Sequence, residues 1–208
     1  MFKLTLCRLL YADDIVLFAE SSESLQNSLN ILEGYCDRWK LTVNSTKTKV
    51  IIFRKGGRLP QNVRFTYKSE DIEIVNKFKY LGVLFSAGSS YVEHDKMLAG
   101  QSLKAIFKMN KYLYKFTDLS PRHAFSLFDK LITPILNYGP EVTSFHKDVH
   151  VDRTHLRFCK RLLGIKSSTQ NSFIYFELGR TSLQCLRFYN IIKYWLKLCH
   201  RLDVKYTK

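Results

Sequence analysis

The 208-residue sequence predicts an α+β protein, in which a strand-rich first half is followed by an all-helical, basic second half. Short β-capable runs alternate with turn-forming residues up to Ala87-Gly88-Ser89-Ser90, and beyond that point apolar residues recur at helical spacing. Charge divides the chain at the same place: residues 1–90 carry 13 Lys and Arg against 9 Asp and Glu, whereas residues 91–208 carry 20 against 9. We therefore predict two domains, residues 1–90 and residues 91–208.

The first half is predicted to begin with a β-hairpin. Its strands are the apolar runs 4–10 and 15–19, and Tyr11–Asp14 form its tip. Serines suited to capping are followed by apolar residues at helical spacing, which predicts an amphipathic helix over residues 22–39. The remaining predicted elements are a strand at 49–55, a hairpin made of 63–67 and 72–75, and a strand at 78–86.

The second half is predicted to contain helices at residues 91–116, 121–136, 149–163 and 183–202. Pro121 suits the first turn of a helix, and Gly139-Pro140 is predicted to break the chain. We assign the aromatic residues of this half to the core of a helical bundle. They include Phe125, Phe128, Tyr138, Phe173, Tyr175, Phe176, Tyr189, Tyr194 and Trp195.

The formal net charge of +15 favours a polyanionic partner, nucleic acid before membrane, over a merely solubilising surface. The five cysteines lie in apolar runs without a CxxC pair, which indicates reduced, buried thiols in an intracellular protein, nuclear or cytoplasmic. No apolar run approaches the roughly 20 residues of a membrane span, so we expect no membrane partner.

The two adjacent carboxylates of Asp13 and Asp14 interrupt an apolar stretch. Burying an ionised carboxylate without a partner is costly, so a cation, a hydrogen-bond network or solvent must receive this pair. Chemistry at a polynucleotide end uses two divalent cations about 4 Å apart that carboxylates hold. Because Asp-Asp pairs are also common in surface turns, the pair alone leaves both interpretations open.

The sequence around this pair resembles a known family. "YADDIVLFAES" resembles the catalytic signature of reverse transcriptases, and "WKLTVNSTKTKVIIF" and "FKYLGVLFS" resemble the palm segments that follow it. "ITPILNYGPEV", "FCKRLLGI" and "YFELGRTSL" resemble the helical continuation found in non-LTR retrotransposons of the long interspersed element type. The resemblance implies a partial polymerase palm over residues 1–90 and a thumb-like domain over residues 91–208.

The resemblance also implies roles for individual residues. Asp13 and Asp14 would be the catalytic residues and the ligands of Mg²⁺. Tyr11 and Ala12 would lie near the primer end and the incoming deoxynucleotide, and Lys47 near its phosphates, although a solvated Lys47 is equally compatible with the sequence. Tyr80, Leu81 and Gly82 would form the primer grip. The implied partners are an RNA template and its DNA primer, with no small-molecule cofactor beyond the deoxynucleotide.

The family holds its metal ions with a further Asp on a strand that precedes this hairpin, and residues 1–10 contain no acidic residue. We therefore expect a fragment of an RNA-directed DNA polymerase that does not synthesise DNA alone. The alternatives are a non-catalytic nucleic-acid-binding remnant, decaying or domesticated, and a structural remnant without partners. The sequence leaves the oligomeric state open.

Two groups of basic residues occur at helical spacing in the second half and could follow nucleic-acid phosphates. They are Lys104, Lys108, Lys111 and Lys115, and Arg153, Arg157, Lys160 and Arg161. Solvated helix faces are the alternative for either group. The i,i+4 pairs His146/His150 and His155/Cys159 could hold zinc, but apolar neighbours make core positions the favoured interpretation.

Overall fold

A computed structural model describes residues 8–56, 63–113, 120–145 and 149–206. The chain divides into two compact units. The first unit contains residues up to 78 together with 86–89, and the second unit contains 79–85 and the residues from 90 onward. The α+β class predicted from the sequence is confirmed. In the described part of the chain, no helix combines the length and apolar character needed to cross a membrane.

Short antiparallel hairpins and one long helix make up the first unit. Its elements are β1 (Arg8–Tyr11), β2 (Asp14–Leu17), α1 (Ser22–Trp39), β3 (Thr66–Tyr67) and β4 (Glu70–Asp71). The helix begins where the sequence predicts, because the Ser21 hydroxyl accepts a hydrogen bond from the Ser24 amide at 3.1 Å. Leu29 of α1 packs on Val50, Phe65 and Ile72 to form the core.

Helices dominate the second unit. They are α2 (Val92–Leu113), α3 (Pro121–Leu131), α4 (Thr133–Leu136), α5 (Pro140–Thr143), α6 (Val149–Leu162), α7 (Asn171–Glu177) and α8 (Leu183–Tyr206). The core centres on Phe128 of α3, whose ring stacks on Phe158 of α6 with centroids 4.4 Å apart. A further hairpin, β5 (Lys77–Tyr80) with β6 (Val83–Ser86), contributes residues to both units. The domain division at residue 90 stays a prediction, although residues 79–85 group with the helices.

Three β predictions need correction. The strand predicted at 49–55 is wrong, because Val50 forms only an isolated bridge with Ile74 and the Arg54 amide donates instead to the Ala87 carbonyl. The second hairpin has a two-residue turn, Lys68-Ser69, which is shorter than the turn between the predicted strands 63–67 and 72–75. The single strand predicted at 78–86 is wrong as well. Leu81 and Gly82 have φ angles of 44° and 82° and reverse the chain, which gives the hairpin that the family resemblance implies.

The helical predictions differ from the structure in three places. The helix predicted over 121–136 is interrupted at Ile132, because Pro134 has no amide hydrogen to continue the helix. Gly139, with a φ of 64°, breaks the chain as predicted, but Pro140 then starts the short helix α5, and α7 was not predicted. The aromatic residues do not all lie in the core: Phe128 is fully buried, but Trp195 and Phe176 are 64% and 85% exposed.

Cysteine burial also differs from the prediction. Cys36 and Cys159 are buried free thiols, whereas Cys185 is exposed. Cys185 lies two residues from Leu183 and two from Arg187, both of which are buried, so it lies on the opposite side of α8. Cys7 lies outside the described residues.

Candidate nucleic-acid and metal site

The acidic pair lies at the turn of the β1–β2 hairpin. Tyr11 pairs with Asp14 across the strands, so Ala12 and Asp13 form a two-residue turn. Ala12 adopts a φ of 50°, a left-handed conformation that tight hairpin turns require. All four of these residues are exposed. The carboxylates therefore face solvent, which explains how an apolar stretch tolerates them.

The hairpin is anchored at its base and open at its tip. Leu17 packs against the core of the first unit, whereas Leu10 and its cross-strand partner Ile15 are 68% and 44% exposed. Within the described residues, β1 and β2 pair only with each other. A two-stranded hairpin is marginally stable without further packing. The tip is thus held by the turn and by contacts at the base.

The donor chemistry at the tip fits a hard divalent cation, because Mg²⁺ prefers carboxylate oxygens and shares its coordination with substrate phosphates. The number of donors is incomplete. Among the residues that the structure describes, no group of three or more His, Cys, Asp or Glu side chains is placed to hold a metal ion. The pair can therefore supply part of a magnesium site.

Lys47 lies in a short loop that Asn44 organises. The Asn44 side-chain oxygen accepts hydrogen bonds from the Thr46 hydroxyl at 2.7 Å and from the Lys47 amide at 3.1 Å. The Asn44 carbonyl also accepts from the Thr48 hydroxyl at 2.9 Å. Such local bonds fix an irregular backbone. Lys47 is exposed on a defined loop, as a phosphate contact would require and as a solvated lysine would also be.

The Leu81-Gly82 turn is fixed by the second unit, to which it belongs. The Tyr138 hydroxyl donates a hydrogen bond to the Leu81 carbonyl at 2.7 Å. The Leu84 amide of the same hairpin donates to Nδ1 of His94 at 3.2 Å. A Cβ atom at Gly82 would lie 2.7 Å from the Tyr138 ring. Glycine is therefore required here both by its φ and by the aromatic ring packed on it.

Comparison with known protein families finds a match for the part of the sequence that contains both turns. The family described as reverse transcriptase (RNA-dependent DNA polymerase) matches residues 2–85, which include the acidic turn and the Leu81-Gly82 turn. Residues 2–85 are therefore similar to reverse transcriptases. This confirms the kinship with the reverse transcriptases of non-LTR retrotransposons that the sequence motifs indicated.

Relatives of the chain extend the similarity into the helices. A transposon-derived protein of Caenorhabditis elegans is 30% identical over 79% of the chain and 59% of its own length. The RNA-directed DNA polymerase from the mobile element jockey of Drosophila funebris is 23% identical over 76% of the chain and 18% of its own length. A 115 kDa protein in a type-1 retrotransposable element of Drosophila melanogaster is 26% identical over 74% of the chain and 15% of its own length. No solved structure gave a significant match.

The chain therefore spans 59% of the nematode protein and less than a fifth of the two fly proteins. The family match covers residues 2–85, whereas the matches to the relatives cover about three quarters of the chain. The second unit thus shares ancestry with retrotransposon proteins.

Exchange of Gly82 for alanine tests the geometry of the Leu81-Gly82 turn. We expect the Gly82→Ala variant to lose about 1–3 kcal/mol of stability, because alanine is strained at this φ and its Cβ meets the Tyr138 ring. Gly100→Ala is the matched control in α2: its Cβ would meet nothing within 4 Å, so it should gain about 0.5–1 kcal/mol. Urea unfolding of both variants makes the measurement, and equal effects would contradict the turn geometry.

The two predicted basic groups lie on different helices of the second unit. Lys104, Lys108 and Lys111 are exposed on α2, and we call them the α2 lysines. Lys115 lies outside the described residues. On α6, Arg153, Arg157 and Arg161 are exposed, and we call them the α6 arginines.

Lys160 differs from its arginine neighbours. Its ammonium group donates to the carbonyls of Ser167 and Thr169, both at 2.7 Å, and so holds the loop that follows α6. These two bonds restrain the lysine side chain. The α6 arginines are therefore better placed than Lys160 to contact an external anion.

The histidine and cysteine group does not form a metal site in the described part of the chain. His155 and Cys159 are fully buried on the core face of α6, and His146 lies outside the described residues. Burial lowers the pKa of His155 to about 4 and raises that of the Cys159 thiol to about 11. Both groups are consequently neutral core residues near pH 7.

The sequence interpretation missed the roles of two residues that stabilise the second unit. Tyr138 was assigned to the bundle core, whereas its hydroxyl fixes the Leu81-Gly82 turn and its side chain is 47% exposed. Arg187 was not singled out at all, yet it is 1% exposed and paired with Asp95 at 3.0 Å. The only available signal was its position: Leu183 and Arg187 are four residues apart, and both lie on the buried face of α8.

Proposed function

We propose that this chain is a part of an RNA-directed DNA polymerase that presents Asp13 and Asp14 to the primer end and contacts the primer–template through its second unit. The observation that carries the proposal is the exposed acidic turn, because two solvent-facing carboxylates on a tight hairpin lie inside the segment that matches the reverse transcriptase family. Residues 1–90 then act as a partial palm and residues 91–208 as a thumb-like domain.

Asp13 and Asp14 are the residues that would hold Mg²⁺, which when bound activates the attacking hydroxyl and stabilises the leaving oxygen. The chain's own part is positional. Ala12 sets the turn that places both carboxylates, and Tyr11 lies beside them at the end of β1. Tyr80, Leu81 and Gly82 lie on a hairpin that Tyr138 and His94 fix, as the gripping of a primer requires. Lys47 is the candidate contact for the phosphates of the incoming deoxynucleotide.

The second unit supplies the electrostatic part of the proposal. Residues 91–208 carry 20 Lys and Arg against 9 Asp and Glu, and the α2 lysines and α6 arginines are exposed on two helices. Each phosphate that such a group neutralises releases counterions, so affinity should fall steeply with salt. A location in the nucleus or cytoplasm is compatible with a nucleic-acid partner, and it stays a prediction.

A primer–template experiment tests this function. With an RNA template, a DNA primer, deoxynucleotides and Mg²⁺, we expect binding without extension, because among the described residues no third side chain joins Asp13 and Asp14 to hold a metal ion. Exchange of the three α2 lysines for glutamine should flatten the salt dependence by up to about 0.7–0.9 in logarithmic slope per engaged lysine. Fluorescence anisotropy at several salt concentrations measures the slope, and gel electrophoresis measures extension.

The Asp13→Ala variant is the matched control, because it changes the acidic turn and leaves the basic helices intact. It should bind with an unchanged salt slope. Extension that depends on Asp13 would show that the carboxylates suffice and would make the chain an enzyme by itself. Absence of salt-dependent binding to the primer–template would favour a structural remnant. Binding that is as tight with a blunt duplex as with a recessed primer end would favour a non-catalytic nucleic-acid-binding remnant.

A further inference from the structure

The outward face of α6 forms the floor of a groove in the second unit. The groove has a volume of about 940 Å³. Ala99 and Leu103 of α2 form one wall, and Asn171 and Tyr175 of α7 line the other. We call this feature the α6 groove. It is concave, open to solvent and lies entirely within one compact unit.

Cations predominate along the α6 groove. The three α6 arginines line it, together with Lys160. Asp152 is the acidic group in the lining, and its carboxylate already accepts hydrogen bonds from the Ser182 hydroxyl at 2.8 Å and 3.0 Å. The ion pairs described in this unit use other cations, namely Lys96, Arg180 and Arg187. The guanidinium groups of the groove are therefore placed to receive an external polyanion.

The α6 arginines form a row along the groove. Arg153, Arg157 and Arg161 are four residues apart, so their Cα atoms advance by about 6 Å along the helix axis at each step. Such a row of guanidinium groups can follow the phosphates along one nucleic-acid strand.

The groove also offers apolar surface between its cations. Leu103 and Val149 are 39% and 49% exposed, and both line the groove beside the partly exposed ring of Tyr175. Proteins that bind single strands without sequence preference combine a positively charged groove with apolar or aromatic surfaces for the bases. An acidic peptide would use the cations alone and has no flat bases to place on this surface.

We propose that the α6 groove binds single-stranded nucleic acid, with the α6 arginines contacting successive phosphates. The inference rests on the proposed function and deepens it: the α2 lysines contact the primer–template duplex, and the α6 groove receives the unpaired strand. The proposal thus gives the α2 lysines and the α6 arginines different ligands, whereas the sequence alone did not distinguish the two groups.

A pair of matched triple variants of the full chain tests the groove. One carries Arg153→Gln, Arg157→Gln and Arg161→Gln, and the other carries Lys104→Gln, Lys108→Gln and Lys111→Gln, so each loses three charges. The probes are a labelled oligouridine, an RNA–DNA duplex of equal length and polyglutamate of equal charge. We expect the arginine variant to lose about tenfold or more in affinity for oligouridine, with a salt slope shallower by up to about 0.7 per arginine.

The lysine variant should weaken duplex binding and leave oligouridine binding nearly unchanged. A third variant, with Arg153→Lys, Arg157→Lys and Arg161→Lys, keeps the charge and should retain most of the oligouridine affinity. It therefore shows whether a loss in the glutamine variant comes from lost phosphate contacts or from misfolding. Equal losses of oligouridine affinity in the two glutamine variants would overturn the groove assignment while the proposed function stands. So would polyglutamate binding as tight as that of oligouridine. Failure of the unaltered chain to bind either nucleic acid would overturn both.

Discussion

Replacement of Arg187 by methionine is expected to lower the free energy of unfolding of the second unit by about 3–5 kcal/mol. Arg187 is 1% exposed, and its guanidinium group pairs with Asp95 of α2 at 3.0 Å. It also donates to the Leu136 carbonyl at 3.2 Å and to the Ser144 hydroxyl. Removal of the guanidinium would leave the carboxylate of Asp95 buried without this partner, and that desolvation dominates the cost.

The experiment should report on the second unit alone, because a chain with two compact units need not unfold in one step. The chain contains two tryptophans, Trp39 in α1 and Trp195 in α8. Trp39 is 62% exposed, so Trp39→Phe is a mild background in which fluorescence follows α8 through urea unfolding. Arg153→Met, at an exposed position of α6, is the matched control and should change stability by less than about 0.5 kcal/mol.

A double variant separates the burial of charge from the loss of packing. When both members of a buried ion pair become apolar, stability is often retained. Arg187→Met combined with Asp95→Leu should therefore recover much of the loss seen in Arg187→Met alone. A single variant as stable as the control would show that the pair is solvated and that α8 is not tied to α2 through it.

Local features of this fold could be predicted from the sequence. The bounds of α1 follow from the Ser21 cap and from apolar residues at helical spacing, both of which lie within the helix or next to it. The acidic turn likewise depends on the few residues around Ala12 and Asp13. These features need no knowledge of distant partners, so sequence patterns were sufficient for them.

Features that depend on distant partners could not be predicted. Residues 49–55 have the composition of a strand, but their hydrogen-bond partners change from Glu73 to Ala87 along the run, and no ladder forms. Tyr189 and Trp195 look like core residues, yet they are 58% and 64% exposed among the residues that the structure describes. Burial of Arg187 depends on Asp95, which lies 92 positions away. Only the tertiary structure brings such pairs together.

The second large effect is an acid-induced loss of stability that originates at His155. The imidazole is fully buried, with its ring 5.4 Å from that of Phe128, and neither nitrogen has a hydrogen-bond partner among the described residues. Burial lowers its pKa to about 4, and the charge of Arg180 acts in the same direction while Asp129 opposes it. The charged form is thus disfavoured in the folded state.

The direction of the pH dependence follows from proton binding. The unfolded chain binds a proton at this histidine near pH 6.5, whereas the folded chain does so only near pH 4. Between these values the unfolded state holds more protons, so stability is complete above about pH 6.5 and falls as the pH drops toward 4. At about 1.4 kcal/mol per pH unit, the total loss is roughly 3 kcal/mol.

Urea unfolding of the Trp39→Phe background between pH 4 and pH 7.5, followed by Trp195 fluorescence, measures this loss. His155→Leu should remove most of the pH dependence, and near pH 7 it should be neutral or stabilising because two unpaired buried nitrogens disappear. His123→Gln is the matched control, since His123 is exposed on α3 and should leave the profile unchanged. If His155→Leu retains the full acid-induced loss, the groups responsible lie elsewhere and His155 is accessible to solvent. In that case the core position that we favour for His155 over a zinc-binding role would be wrong.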